Sequence, residues 1–122
     1  MSDRTPSSSS PPTRPTAPNP GPLTGIRVLA AEQMQALPFA TQLLSRLGAD
    51  VVKVEHPIQG ESGRGAHPAM IDPEGRPVGA TFLRNNLGKR SVGIDLKAPE
   101  GRALFLDLVP RFDVVAENFK AG

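Results

Sequence analysis

Four bases fall within fourteen residues: Arg84, Lys89, Arg90 and Lys97. Placed on either side of a short β-branched run, they read in two ways, as a solvated cationic face or as a local positive field suited to a polyphosphate ligand. The string Gly88-Lys89-Arg90-Ser91 does not turn them into a P-loop. Leu83 stands where the first glycine belongs, Arg90 displaces the Ser or Thr that should follow the lysine, and a strand rather than a helix comes next. A second polar group, Gln33 and Gln35, lies in the turn of residues 32–37. Ligands of α/β sheets bind at such carboxyl ends of strands, although glutamines are also ordinary solvated turn residues. The turn holds no glycine, so it lacks the G-x-G-x-x-G backbone that closes on a pyrophosphate. This argues against NAD or FAD held in the usual way.

Other candidates carry less. Gly60, Gly63 and Gly65 frame Arg64, but their spacing is wrong for a dinucleotide fingerprint and no helix follows them. His56 and His67 have no Cys or paired His at metal-ligand spacing, so they read as surface histidines and no metal is expected. There is no cysteine, which excludes disulfides, thiolate catalysis and zinc-thiolate sites within the chain.

The elements that would position these groups are legible from period and punctuation. Residues 23–55 run strand, polar turn, helix and strand, the span of one βαβ unit. The runs at 26–31 and 51–54 are short and β-branched, as strands of a buried parallel sheet tend to be. Pro38 suits a first helical turn, Leu43, Leu44 and Leu47 are expected to form the buried face with Phe39 and Ala40, and Gly48 stands at the C-terminus. Residues 56–81, rich in Gly and Pro, predict a long irregular connection of the lid or binding-loop kind, with ordinary turn chemistry at residues 72–76. A strand is expected over 91–96. A second helix follows from Pro99, with Leu104, Phe105, Leu108 and Val109 as its buried stripe and no side-chain cap at Ala98. Pro110 ends or bends it, and residues 113–117 make a last strand, which leaves the domain looking cut off at Gly122.

Residues 1–22 hold seven of the fourteen prolines and a run of four serines, and predict a disordered tail. The remaining 23–122 suffice for one small α/β domain with an aliphatic core, since there are five Phe and no Trp or Tyr. A net charge of +2 is a small excess rather than a dense basic patch, so no nucleic-acid partner is implied. With no leader-like apolar region after the first charges and no run near the roughly 18 apolar residues of a membrane helix, no membrane is expected and the cytoplasm is the default location.

With these motifs in place, the sequence resembles the N-terminal part of the family III CoA-transferases, a group that includes formyl-CoA transferase, carnitine CoA-transferase and the related α-methylacyl-CoA racemases. The matching pieces are LTGIRVLA at 23–30, PFATQLLSRLGADVVKVEHP at 38–57, GESGR at 60–64, NNLGKRSVGIDLKAPEGR at 85–102 and DVVAENFKAG at 113–122. They keep the family's order and approximate spacing. The resemblance implies a Rossmann-like parallel-sheet domain, truncated here, that binds coenzyme A or an acyl-CoA as substrate, with a carboxylic acid as acceptor and an interlocked homodimer at full length. The contacts it implies fall on Gln35, Ala36, His56, Ile94, Asp95, Leu96, Lys97, Asn118, Phe119 and Lys120. His56 departs from the family, where Arg is frequent, and Leu37 replaces a common Gly. A neutral imidazole is a weaker phosphate contact than a guanidinium.

The family's nucleophile is an aspartate that forms covalent acyl-enzyme intermediates. None of Asp50, Asp72, Asp95, Asp107 or Asp113 matches its motif, so the resemblance implies that it lies beyond Gly122 and that this segment holds CoA without attacking it. A racemase of the same fold and a non-catalytic CoA-binding module are the alternatives. A receiver-like or nucleotide-binding domain shares the alternating pattern but lacks the acidic cluster or glycine loop.

Overall fold

The computed structural model describes residues 21–121. The tail expected at 1–22 therefore lies outside the described residues, apart from Gly21 and Pro22. Gly21 rests against Leu47 and accepts from the Thr24 N–H at 3.1 Å.

Strand β1 (Arg27–Ala31), helix α1 (Ala36–Arg46) and strand β2 (Asp50–Glu55) form the βαβ unit expected in this stretch. After a 3-10 turn (Ser62–Gly65), the chain makes a small hairpin of β3 (Ala69–Ile71) and β4 (Pro77–Gly79). Helix α2 (Ala80–Asn85), strand β5 (Arg90–Gly93), helix α3 (Pro99–Leu108) and strand β6 (Val114–Glu117) complete it. The four long-range strands make one parallel sheet in the order β5-β2-β1-β6. From β1 the chain builds outward through β2 to β5, then returns to β6 on the other side. That reversal is where open α/β sheets form a crevice at the carboxyl ends of their strands. The expected Rossmann-like α/β architecture is thus the observed one.

The core has two faces. Val28, Ala30, Ala49 and Val51 pack with Leu44 of α1 on one. Leu29, Val52, Val54 and Ile94 pack with Phe105, Leu108 and Val109 on the other, which α3 covers. Gly48, at φ +105°, supplies the left-handed residue that ends α1 and lets the chain enter β2. No helix among the described residues is long and apolar enough to cross a membrane.

Four expectations need correction. The inward positions of α1 are Pro38, Thr41 and Gln42, whereas Phe39, Ala40, Leu43 and Leu47 are exposed. The cause is the partner beneath: the Thr41 hydroxyl donates to the buried Glu32 Oε2 at 2.6 Å, so the helix's polar face turns toward the sheet. Leu104 is exposed, and α3 seats Phe105, Leu108 and Val109 instead. The 56–81 connection is not structureless, because Asp72 Oδ1 accepts from the N–H groups of Glu74 and Arg76 at 2.9 and 2.8 Å and closes the β3–β4 hairpin. Helix α2, at six residues, is too short to show a period in sequence. Strand β5 begins at Arg90 and ends at Gly93, leaving residues 94–97 as a turn rather than a strand.

Candidate functional site

Along the face covered by α1, the sheet changes character from one end to the other. Val28 and Val51 lie toward the amino ends, and Glu32, Lys53 and Glu55 lie toward the carboxyl ends, all at most 6% exposed. Alternation in β2 makes this possible: Val51, Lys53 and Glu55 share one face while Val52 and Val54 serve the other. Above the carboxyl ends opens a cavity of about 560 Å³ whose walls come from the ends of all four parallel strands.

The cavity wall from β1 is Glu32 and Gln33, and that from β2 is Glu55 and His56 with residues 59–62 behind them. Ile94, Asp95, Leu96 and Lys97 follow β5, and Phe119 follows β6. Of the residues expected from sequence, His56, Ile94, Asp95, Leu96, Lys97 and Phe119 come together here. Gln35, Ala36, Asn118 and Lys120 do not line it. Gln35 is the residue before α1, with its side chain exposed and making no cap. Met34, left-handed at φ 63°, turns the chain between the two glutamines. Asn118 instead clamps the turn: its Oδ1 accepts from Gln33 N–H at 2.9 Å and its Nδ2 donates to Gln33 O at 3.0 Å.

The four bases singled out in sequence do not form one field. Lys97 lines the cavity and is exposed. Arg90 pairs with Asp50 at 2.6 Å, and Arg84 is exposed on α2. Lys89 is buried, donating to Glu32 Oε1 at 2.6 Å, Pro38 O at 2.9 Å and Asn86 Oδ1 at 3.1 Å. Burial pushes its ammonium below the usual lysine range, with Glu32 partly offsetting the push.

Gln33, one of the two turn glutamines singled out in sequence, lines the cavity, whereas Glu32, Glu55, Gln59 and Glu61 were not foreseen. The signal available was Lys53 and Glu55 at alternate positions of an otherwise apolar strand. Glu55 Oε2 accepts from Arg64 Nε at 2.6 Å and Glu61 N–H at 2.9 Å, and Oε1 accepts from Arg64 Nη2 at 2.7 Å and Ser91 Oγ at 2.8 Å. Burial opposes its ionisation, but these four donors outweigh it and hold the carboxyl at about 2. The Arg64 guanidinium, stacked 4.1 Å over Phe82, is raised chiefly by its hydrogen bond to Glu55. His56 Nδ1 accepts from the N–H groups of Ile58 and Gln59, both at 3.2 Å, which leaves Nε2 as the ring nitrogen for a ligand. Asp95 Oδ1 accepts from Lys97 N–H at 3.0 Å, tightening the turn into α3.

Three of the carboxylates around this cavity are therefore matched from within, Glu32 by Lys89, Glu55 by Arg64 and Glu61 by Lys53, while Asp95 is tied to its own turn by the Lys97 N–H. What the cavity offers a ligand is an apolar wall (Ile94, Leu96, Phe119), hydrogen-bonding side chains (Gln33, Gln59, His56) and the ammonium of Lys97 at its edge. That combination suits a long, mixed ligand with an anionic end.

The model of a family described as CoA-transferase family III matches residues 23–122. Over 102 residues the chain is 48% identical to a succinyl-CoA:mesaconate CoA-transferase of Haloarcula hispanica, covering 84% of this chain and 26% of that one. A succinate–glutarate CoA-transferase of Agrobacterium fabrum is 46% identical over 101 residues, covering 81% and 25%. Among solved structures, a CAIB/BAIF family protein from Brucella suis superposes with a TM-score of 0.75 at 42% identity, covering 84% of this chain and 27% of that one. The chain thus spans about a quarter of the length of these relatives.

Proposed function

Because this chain belongs to CoA-transferase family III, we propose that its cavity holds coenzyme A, in a soluble cytoplasmic enzyme that moves CoA from an acyl-CoA to a carboxylic acid. The observation that carries this is the convergence of His56, Phe119 and the 94–97 turn on one cavity at the carboxyl ends of four parallel strands. Ile94 and Leu96 form the apolar wall for the adenine, and Lys97 meets a phosphate as a point charge. His56 offers a single Nε2 contact beside it. Gln33, which lines the same cavity after β1, meets the acyl end of the thioester.

The chemistry is covalent. An aspartate carboxylate attacks the thioester carbonyl and CoA leaves as thiolate. The thiolate attacks the aspartyl carbonyl of the anhydride, releasing the donor acid and leaving an aspartyl-CoA thioester. The incoming carboxylate displaces the thiolate to form a new anhydride, which the thiolate cleaves at the acyl carbonyl to give the new acyl-CoA and free aspartate. The attacker comes from outside residues 23–122. In support, Asp95, the aspartate at this cavity, is committed to its own turn through the Lys97 N–H. An interlocked homodimer fits the apolar side chains exposed here: Phe39 and Leu43 on α1 with Leu47 just after it, Leu104 and Leu106 on α3, and Val114 and Val115 on β6.

Calorimetric titration with CoA tests the binding step. The full-length protein is expected to bind CoA, with Lys97→Ala and His56→Ala each weakening it by about fivefold. Absence of CoA binding refutes the proposal. Ping-pong kinetics with succinyl-CoA and a dicarboxylic acid support the transferase. Proton exchange at the α-carbon of an acyl-CoA in heavy water, without CoA transfer, identifies a racemase of the same fold instead.

A further inference from the structure

We infer that Glu61, held by Lys53, is a positioning residue that locks two walls of the cavity to each other; what those walls enclose rests on the CoA reading above. Glu61 is 5% exposed. Its Oε1 accepts from Met34 N–H at 2.7 Å, in the turn after β1, and from Gly63 N–H at 2.9 Å, in the 3-10 turn after β2. One carboxylate oxygen thus ties the segment of Glu61 to a turn 27 residues before it. Its other oxygen pairs with Lys53 Nζ at 2.5 Å.

Lys53 lies in β2, itself in the interior of the sheet, and is 1% exposed. It also donates to Asn86 Oδ1 at 3.0 Å and approaches Glu32 Oε1 at 3.5 Å. Glu32 in turn is held by Lys89. The quartet Glu32, Lys53, Glu61 and Lys89 carries two charges of each sign.

Ion pairs at this depth are poor stabilisers, because desolvation removes most of what the attraction supplies. An apolar pair would fill the same space. What an apolar pair lacks is an acceptor for the part-buried Met34 amide and the buried Gly63 amide. Met34 has a left-handed backbone that residues with side chains disfavour, and its N–H is the one Glu61 takes. This conformation goes with Gln33 on the cavity wall and Gln35 just ahead of α1. Glu61 therefore acts through the turn: it sets which glutamine meets the ligand.

Two double variants of the full-length protein separate the acceptor from the charge. Lys53→Met with Glu61→Gln keeps an oxygen acceptor, and Lys53→Met with Glu61→Leu removes it; neither leaves a lone buried charge. Hydrogen exchange of the Met34 and Gly63 amides, measured without ligand, is expected to stay within about threefold of wild type in the Gln pair and to quicken about tenfold or more in the Leu pair. CoA affinity should follow the same order, with a loss of about tenfold in the Leu pair alone. Equal exchange in the two pairs overturns the inference, as does unchanged CoA affinity in a Leu pair whose amides have opened. Should both pairs fail to fold, the wild type decides: Met34 and Gly63 amides that exchange at free-peptide rates overturn it, and protected ones uphold it. A wild type that shows this protection yet binds no CoA refutes the CoA reading and leaves the lock standing.

Discussion

Replacing Glu55 by Gln tests the electrostatics of the site in the free chain. The native carboxylate has four donors, three of them on Arg64 and Ser91 side chains, and titrates at about 2 against an ordinary 4.5. A difference of that size is worth about 3 kcal/mol at neutral pH. Arg64 is 44% exposed, so solvent screening lowers the figure to about 2–3 kcal/mol. In a domain of this size that is a fall of roughly 10–20 °C in melting temperature. The pH dependence has a definite sign. Between pH 4.5 and 2 the unfolded chain binds a proton that the folded one refuses, so this stability is fully present above the unfolded value and is lost as pH falls toward 2. Urea unfolding of wild type and Glu55→Gln at pH 7, 5, 4 and 3 should therefore give a difference that is flat down to about pH 5 and then shrinks. A difference that stays constant into acid, or grows, refutes the assignment of the donors to an ionised Glu55.

Two further outcomes follow from packing. A Cβ on Gly101 would overlap the Asp95 carbonyl oxygen, so Gly101→Ala should cost about 1–3 kcal/mol in thermal unfolding and weaken CoA by displacing the 94–97 turn. Leu43→Glu, on the exposed face of α1, should change the stability of the isolated chain by no more than about 0.5 kcal/mol. In the full-length protein it should disrupt assembly, read by size-exclusion chromatography.

The βαβ unit was legible because its signals are local: two β-branched runs, a period between them and Gly48 where the helix had to stop. The orientation of α1 was not, because its apolar stripe, Leu44 excepted, is left uncovered within the chain, and only Glu32, across the turn, explains why Thr41 points inward. Gln33 and Gln35 are equivalent in sequence. The left-handed Met34 separates them, and nothing in the residue type of Met announces such a backbone. Lys89 looked like a surface base because its partners, Glu32 and Pro38, lie more than fifty residues away. Charge read along the chain cannot distinguish a solvated lysine from one folded over a carboxylate.

The clamp between Asn118 and Gln33 also sets an order of events during synthesis. The two residues are 85 positions apart, so at about 5–20 residues per second a ribosome makes Gln33 roughly 4–17 s before the residue that braces it. Through that interval β1 has no β6 beside it, and its backbone donors and acceptors on that side stand open to any strand that reaches them. The cavity is therefore a late structure in the life of the nascent chain. Shielding of β1 until residue 118 emerges favours correct pairing over capture by a neighbouring chain on the same message.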